Sequence, residues 1–194
     1  ALLAVAGALK DAPPIAGLEC GLALLANVCE EGEGNLNGMR YFCEETEEGS
    51  RARAFVVLDG AALDHITCSA LESRRFEVVF SGPGGHSWSD FGTASPVHAL
   101  ARAVTLFLEA DPIKQAAGAF NFGVIEGGAS VNAIPAEARV KVDLRSESAD
   151  GVEGLASLLA GCVARAADSE NAFASRGKVA AKTRLIGARP GGRL

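Results

Sequence analysis

The clearest pattern in the chain is the alternation over residues 136–146. There Ala138, Val140, Val142 and Leu144 take turns with Arg139, Lys141, Asp143 and Arg145. A period of two places the apolar set on one face of a β-strand and the charged set on the other. Strands are also predicted at 75–80, 119–126 and 178–186, the last with Val179, Ala181, Thr183 and Leu185 on one side. Two stretches carry helical spacing instead. Over 96–110, Val97, Leu100, Ala101, Val104 and Leu108 share one face, with Ser95 as N-cap and Pro96 in the first turn. The second helix carries Val152, Leu155, Leu159, Cys162 and Ala166. From Ser73 onward the order is β-α-β-β-α-β. That is a ferredoxin-like sandwich, an α+β arrangement of four antiparallel strands with two helices on one face.

Before Ser73 the pattern is α/β. An alanine- and leucine-rich helix over 1–9 has no N-cap ahead of it and stops at Pro13-Pro14. The unbroken apolar run 22–29 is what a strand buried on both faces looks like. A helix is predicted over 36–45, followed by further strands at 54–58 and 66–71. The expected division is therefore 1–72, 73–186 and a glycine- and proline-rich tail at 187–194.

The chain has 194 residues, enough for one large or two small domains, and its 48% apolar content suits a real core. A net charge of −6 argues against a nucleic-acid or acidic-membrane partner. No apolar run is long enough to span a bilayer. The five cysteines, Cys20, Cys29, Cys43, Cys68 and Cys162, are odd in number and form no CxxC pair, so they read as reduced, packed side chains in a reducing, cytoplasmic compartment.

Candidate chemistry sits at breaks in the pattern. The strand at 76–80 runs into Ser81-Gly82-Pro83-Gly84-Gly85-His86-Ser87, where glycine and proline shape a loop with one histidine at its tip. Glu30 and Glu31 follow one predicted inner strand and Asp59 another, at the strand ends where open α/β sheets bind ligands. Adjacent carboxylates leaving a strand point apart, so one can hold a metal while the other handles a proton. Each feature also has a plain reading. Glu30, Glu31 and Glu33 favour the N-terminus of the next helix, Asp59-Gly60 is a turn, and His86 is a solvated imidazole.

In combination these stretches resemble a family. Cys29-Glu30-Glu31-Gly32-Glu33-Gly34, Val57-Leu58-Asp59-Gly60, the His86 loop, Gly127-Gly128-Ala129-Ser130-Val131-Asn132-Ala133-Ile134-Pro135, Asp143-Leu144-Arg145 and Arg189-Pro190-Gly191-Gly192 occur in one order. That order resembles the two-zinc, dimeric exopeptidases and amidohydrolases: glutamate carboxypeptidase, acetylornithine deacetylase, succinyl-diaminopimelate desuccinylase, aminoacylase and tripeptide aminopeptidase. The resemblance implies a ferredoxin-like lid that dimerises, set into an α/β zinc-peptidase catalytic domain. It implies Glu30 as general base, Glu31 and Asp59 as ligands to two zinc ions, and His86 as a group that helps polarise the scissile carbonyl or holds its oxyanion. Asn132 and Arg145 would bind substrate, Arg145 through a carboxylate. The substrate class would be a small peptide or an N-acyl amino acid, and the partner a second copy of the chain.

The chain departs from the pattern as well. Cys29 stands where the family has an acid. The family's N-terminal histidine, its zinc-bridging aspartate and its C-terminal histidine ligand have no counterparts, and His65 and His98 lie in the wrong segments. The chain therefore reads as an internal fragment, a lid flanked by part of a catalytic domain, inactive and without bound zinc by itself. The rival reading is a non-catalytic dimerisation or peptide-binding module on the same scaffold. Topology adds one expectation: the loops of His86 and Asn132 share one end of the sheet and Arg145 lies at the other, so the first two would serve a partner's active site and Arg145 its own.

Overall fold

The computed structural model describes residues 1–12, 21–60, 64–112 and 118–194. They divide into two compact units, Ala1–Ile66 and Thr67–Leu194.

The second unit begins with β1 (Ser69–Ala70), β2 (Glu72–Ser81), β3 (Gly85–His86), α4 (Pro96–Glu109) and β4 (Gly118–Gly127). It continues through β5 (Ala133–Ile134), β6 (Glu137–Ser146), α5 (Ala149–Phe173), β7 (Ala180–Arg189) and β8 (Gly192–Arg193). Strands β2, β4, β6 and β7 form one antiparallel sheet in the order β4-β6-β2-β7. β6 lies between β2 and β4, so those two run parallel. The β-α-β-β-α-β sandwich predicted from alternation is the fold found.

Its core follows from the period of two. Val78 and Phe80 on β2, with Ala138, Val140, Val142 and Leu144 on β6, are all buried. They meet Ala99, Leu100, Ala103 and Phe107 of α4 and Leu155, Leu159, Cys162 and Ala166 of α5. Phe107 sits edge-on to Phe120 and Phe122, with ring centroids 5.1 and 5.4 Å away. The opposite sheet face is charged. Arg75 bonds Asp143, Arg145 bonds Asp143, and Arg184 bonds Glu77.

Three details of this unit differ from expectation. The buried face of α4 is Pro96, Ala99, Leu100, Ala103 and Phe107; Val97 and Leu108 are exposed. The helix is apolar nearly all round, and the small residues Ala99 and Ala103 let it approach its neighbours most closely. Ser95 occupies the N-cap position but makes no side-chain cap bond. Instead its backbone N–H donates to Glu170, 75 residues away, at 2.9 Å. Glu170 thus does from α5 what a nearby glutamate does in a capping box. Finally, the tail is not simply loop: β7 runs on to Arg189, past a register shift, and β8 pairs with β1.

The first unit contains α1 (Leu2–Asp11), a 3₁₀ turn at Gly32–Gly34, α2 (Asn37–Glu45) and α3 (Glu47–Ser50). The predicted helix at 36–45 is present. The predicted strands at 22–29 and 54–58 are not: both stretches are coil, with Val56 88% exposed. Of the predicted 66–71 strand only β1 forms. A strand exists only when paired with another strand, and neither run is so paired among the described residues. Gly49 is the one buried residue described in this unit.

The cysteines differ too. Cys162 is buried, and burial pushes its thiol up. Cys29 and Cys68 are exposed, because the predicted strands that would have covered them are coil or two residues long. Cys20 lies outside the described residues. No described helix is long and apolar enough to cross a membrane.

Candidate functional site

β2 ends at Ser81, and the chain turns through Gly84 at φ +69° into β3. There Gly85 and His86 pair with Ile134 and Ala133 of β5. The Ser87 N–H also donates to the Asn132 carbonyl oxygen at 2.9 Å. The histidine loop and the asparagine hairpin are therefore laced together as a two-residue ladder beyond the end of the main sheet. His86 and Asn132, more than forty positions apart in sequence, are neighbours.

Each of the two side chains is partly engaged. The Asn132 Oδ1 accepts from the Ser130 hydroxyl at 2.8 Å, which leaves its amide N–H groups as donors. The His86 Nδ1 accepts from the Trp88 backbone N–H at 3.2 Å. Both residues are exposed, and so are Trp88 (87%), Phe91 and Val131 around them. The two loops thus expose apolar side chains as well as polar ones.

Arg145 lies at the other end of β6. Its register partner on β2 is Ser73, whereas Glu137 pairs with Ser81 at the loop end. Eight residues of strand separate the two ends, about 26 Å at the usual rise. The sheet thus brings His86 and Asn132 together and keeps Arg145 away from both. The Arg145 Nε donates to Asp143 at 2.6 Å, while Asp143 also accepts from the Arg75 Nε at 3.0 Å. The terminal guanidinium nitrogens of Arg145 have no partner among the described residues, and its neighbours across both ladders, Ser73 and Ala119, are small.

In the first unit, Glu31 caps the 3₁₀ turn with its carbonyl, accepting from the Gly34 N–H at 2.9 Å. Cys29, Asn35 and Leu36 on either side have positive φ (52°, 50° and 63°), an uncommon conformation for residues with a Cβ. Asp59 is exposed, and its carboxylate accepts from the Gly60 N–H. A zinc site takes three or four protein ligands. Among the described residues no group of three or more His, Cys, Asp or Glu could hold a metal ion. The described residues do not by themselves fit the zinc pair that the resemblance implies. His65 and His98 are exposed; His65 contacts Asp64, and the His98 Nδ1 is 3.5 Å from Glu170.

Sequence reasoning missed Asp90, Asp143 and Glu170, which hold the candidate residues or their loop. Asp143 lies two positions before Arg145, as same-face neighbours in a strand do, and that spacing was a usable signal. Glu170 offered only one: an acid on the apolar face of an otherwise amphipathic helix.

A family profile described as the peptidase dimerisation domain matches residues 72–171. No curated protein matches the chain. Among solved structures, an aminobenzoyl-glutamate utilization protein from Klebsiella pneumoniae is similar at TM-score 0.56 and 24% identity, covering 63% of this chain and 30% of that one. A hydantoinase/carbamoylase family amidase from Burkholderia ambifaria is similar at TM-score 0.57 and 18% identity, covering 66% and 30%. The aminopeptidase PepT from Bacillus cereus follows at TM-score 0.51 and 16% identity, covering 66% and 32%. The chain thus spans about a third of the length of these proteins. With the profile covering the sheet strands β2, β4 and β6 and both helices of the second unit, the chain belongs to the peptidase dimerisation domain family.

Proposed function

We propose that the chain is the lid region of a dimeric hydrolase that cleaves the amide bond of a small peptide or N-acyl amino acid, zinc-dependent in the complete protein. The observation that carries this is the division of the lid's polar residues between two ends of one sheet. His86 and Asn132 stand together as donors, while Arg145 offers a guanidinium about 26 Å away. A small substrate cannot reach both ends within one subunit. Arg145 would then bind the substrate carboxylate in its own subunit's site. His86 and Asn132 would donate to the scissile carbonyl oxygen in the partner's. Glu30 would act as the base, with Glu31 and Asp59 contributing to a metal site that the complete protein would complete.

The homodimer this requires has a surface to form on. β4 is an edge strand with one unpaired ladder side. Ile125 on it is 59% exposed, and on α4 Val97 and Leu108 are uncovered. Open edges of this kind pair with another strand unless they are protected.

The test is subunit mixing. Complete chains carrying His86→Ala and Arg145→Ala are each expected to keep only a small residual activity. Mixed dimers should recover up to about half of the activity per mixed dimer, because one site holds both lesions and the other neither. No recovery despite proven subunit exchange would refute shared sites. A complete wild-type protein with bound peptide but no turnover would favour the non-catalytic peptide-binding module. The 194-residue chain alone is expected to bind no stoichiometric zinc pair, which elemental analysis checks.

A further inference from the structure

Every polar group of His86 but one is already spoken for within five residues. Its backbone N–H donates to the Asp90 Oδ2 at 2.8 Å. Its carbonyl oxygen accepts from the Asp90 N–H at 2.9 Å. Its ring Nδ1 accepts from the Trp88 N–H at 3.2 Å. Asp90 therefore closes a reciprocal pair of bonds around the histidine's own peptide groups. Gly85 leaves room for it: a Cβ there would meet the Asp90 Cβ at 2.9 Å.

Asp90 is itself held from behind. Its Oδ1 lies 3.7 Å from the Arg176 guanidinium, and its carbonyl oxygen accepts from the Thr93 N–H. The Gly92 carbonyl then takes the N–H groups of Ser175 and Arg176, while Ala94 donates back to the Arg176 carbonyl. The segment after α5 thus braces the loop along its length.

A neutral imidazole has one donor nitrogen and one acceptor nitrogen, and the hydrogen bond at one decides the role of the other. With Nδ1 accepting from a peptide N–H, the ring hydrogen resides on Nε2. That atom has no partner among the described residues. We propose that Asp90 and the Trp88 peptide N–H are positioning groups that fix His86 as an Nε2–H donor aimed at an oxygen acceptor. Held this way, His86 gives a hydrogen bond to a carbonyl or oxyanion oxygen. It has no lone pair at Nε2 to take a proton or hold a metal. The functional half of this inference rests on His86 meeting a substrate oxygen, as proposed above; the tautomer does not.

The test has two arms. The first uses the ¹⁵N-labelled 194-residue chain at about pH 8.5, above the ordinary imidazole range. With three histidines, substituting His86→Ala assigns its signals. Nδ1 is expected at an acceptor shift and Nε2 at a protonated one. In Asp90→Ala the ratio of Nε2–H to Nδ1–H should fall about fivefold, the worth of one net hydrogen bond. Asp90→Asn retains an oxygen acceptor, and Trp88→Ala retains the peptide N–H, so both should keep the wild-type ratio. A wild-type ring protonated at Nδ1, or an unchanged ratio in Asp90→Ala, overturns the inference.

The second arm uses the complete enzyme. Asp90→Ala should lower kcat about tenfold with KM within about threefold, and should cost nothing more in the His86→Ala background. Independent, multiplying losses would overturn the positioning role. If His86→Ala leaves turnover intact, the proposed function fails, and the first arm still decides the tautomer.

Discussion

Glu170 offers the sharpest stability experiment. Its carboxylate is 1% exposed, accepts from the Ser95 N–H at 2.9 Å and is 3.2 Å from the Arg102 Nε. Glu170→Ala strands the Ser95 N–H in a place where Ser95 is 3% exposed, at a cost of about 1–3 kcal/mol. Arg102 is 40% exposed and stays over the Phe173 ring, so it rehydrates and adds at most about 1 kcal/mol. Release of the carboxylate's own desolvation offsets part of this. The expected net loss is about 2 kcal/mol, or roughly 8 °C in Tm for a domain of this size. Glu170→Gln keeps an oxygen for Ser95 and should lose about 1 kcal/mol. Urea unfolding measures both, and amide exchange should show the Ser95 N–H losing protection first. A Glu170→Ala loss below about 0.5 kcal/mol, or a Gln variant as damaged as the Ala variant, would refute the view that acceptance at Ser95 is what the residue contributes.

Three further outcomes are expected. Phe107→Ala should cost about 3–5 kcal/mol by urea unfolding, since it empties the space against Phe120 and Phe122. The Arg184 hydrogen bond, outweighing the opposing effect of burial, holds the Glu77 carboxyl below the usual range. Its contribution is present above the ordinary glutamate pKa and is lost as pH falls through the depressed value, so Arg184→Met should raise the Glu77 midpoint in an NMR titration and shift acid unfolding to higher pH. Ile125→Lys on the β4 edge should convert a dimer to monomer in sedimentation, with the far-ultraviolet circular dichroism spectrum unchanged.

The second unit was legible because its strands are one-sided. On β6, Val140 and Val142 against Arg139 and Lys141 fix both the period and the buried face, and nothing beyond the strand is needed to read them. The same alternation placed Arg145 on the open face, and the strand order placed it at the far end from His86. The first unit was misread for the complementary reason. The runs at 22–29 and 54–58 are apolar without alternation, so they record only that something should cover them. Which strand would do so is a non-local fact. The α4 face failed for a related cause: Val97 and Leu108 have the spacing of a core stripe, and only the position of α5 and the sheet decides that Ala99, Ala103 and Phe107 turn inward. Glu170 was hidden because its partner is 75 residues away, beyond any local pattern.

β1 and β8 carry a mechanical consequence. Ser69 stands opposite Arg193 and Ala70 opposite Gly192, so the first and last strands of the second unit lie side by side. The next ladder inward repeats the arrangement, with Ser73 opposite Arg189. Tension applied to the two strands pulls them apart across the ladder and loads its hydrogen bonds one pair at a time, as in a zip, instead of all together in shear. The sandwich should therefore peel from this corner at low force. The two-residue ladder opens first and β7 strips from β2 next, while the His86 loop and the Asn132 hairpin, at the opposite end of the sheet, are the last to feel the load.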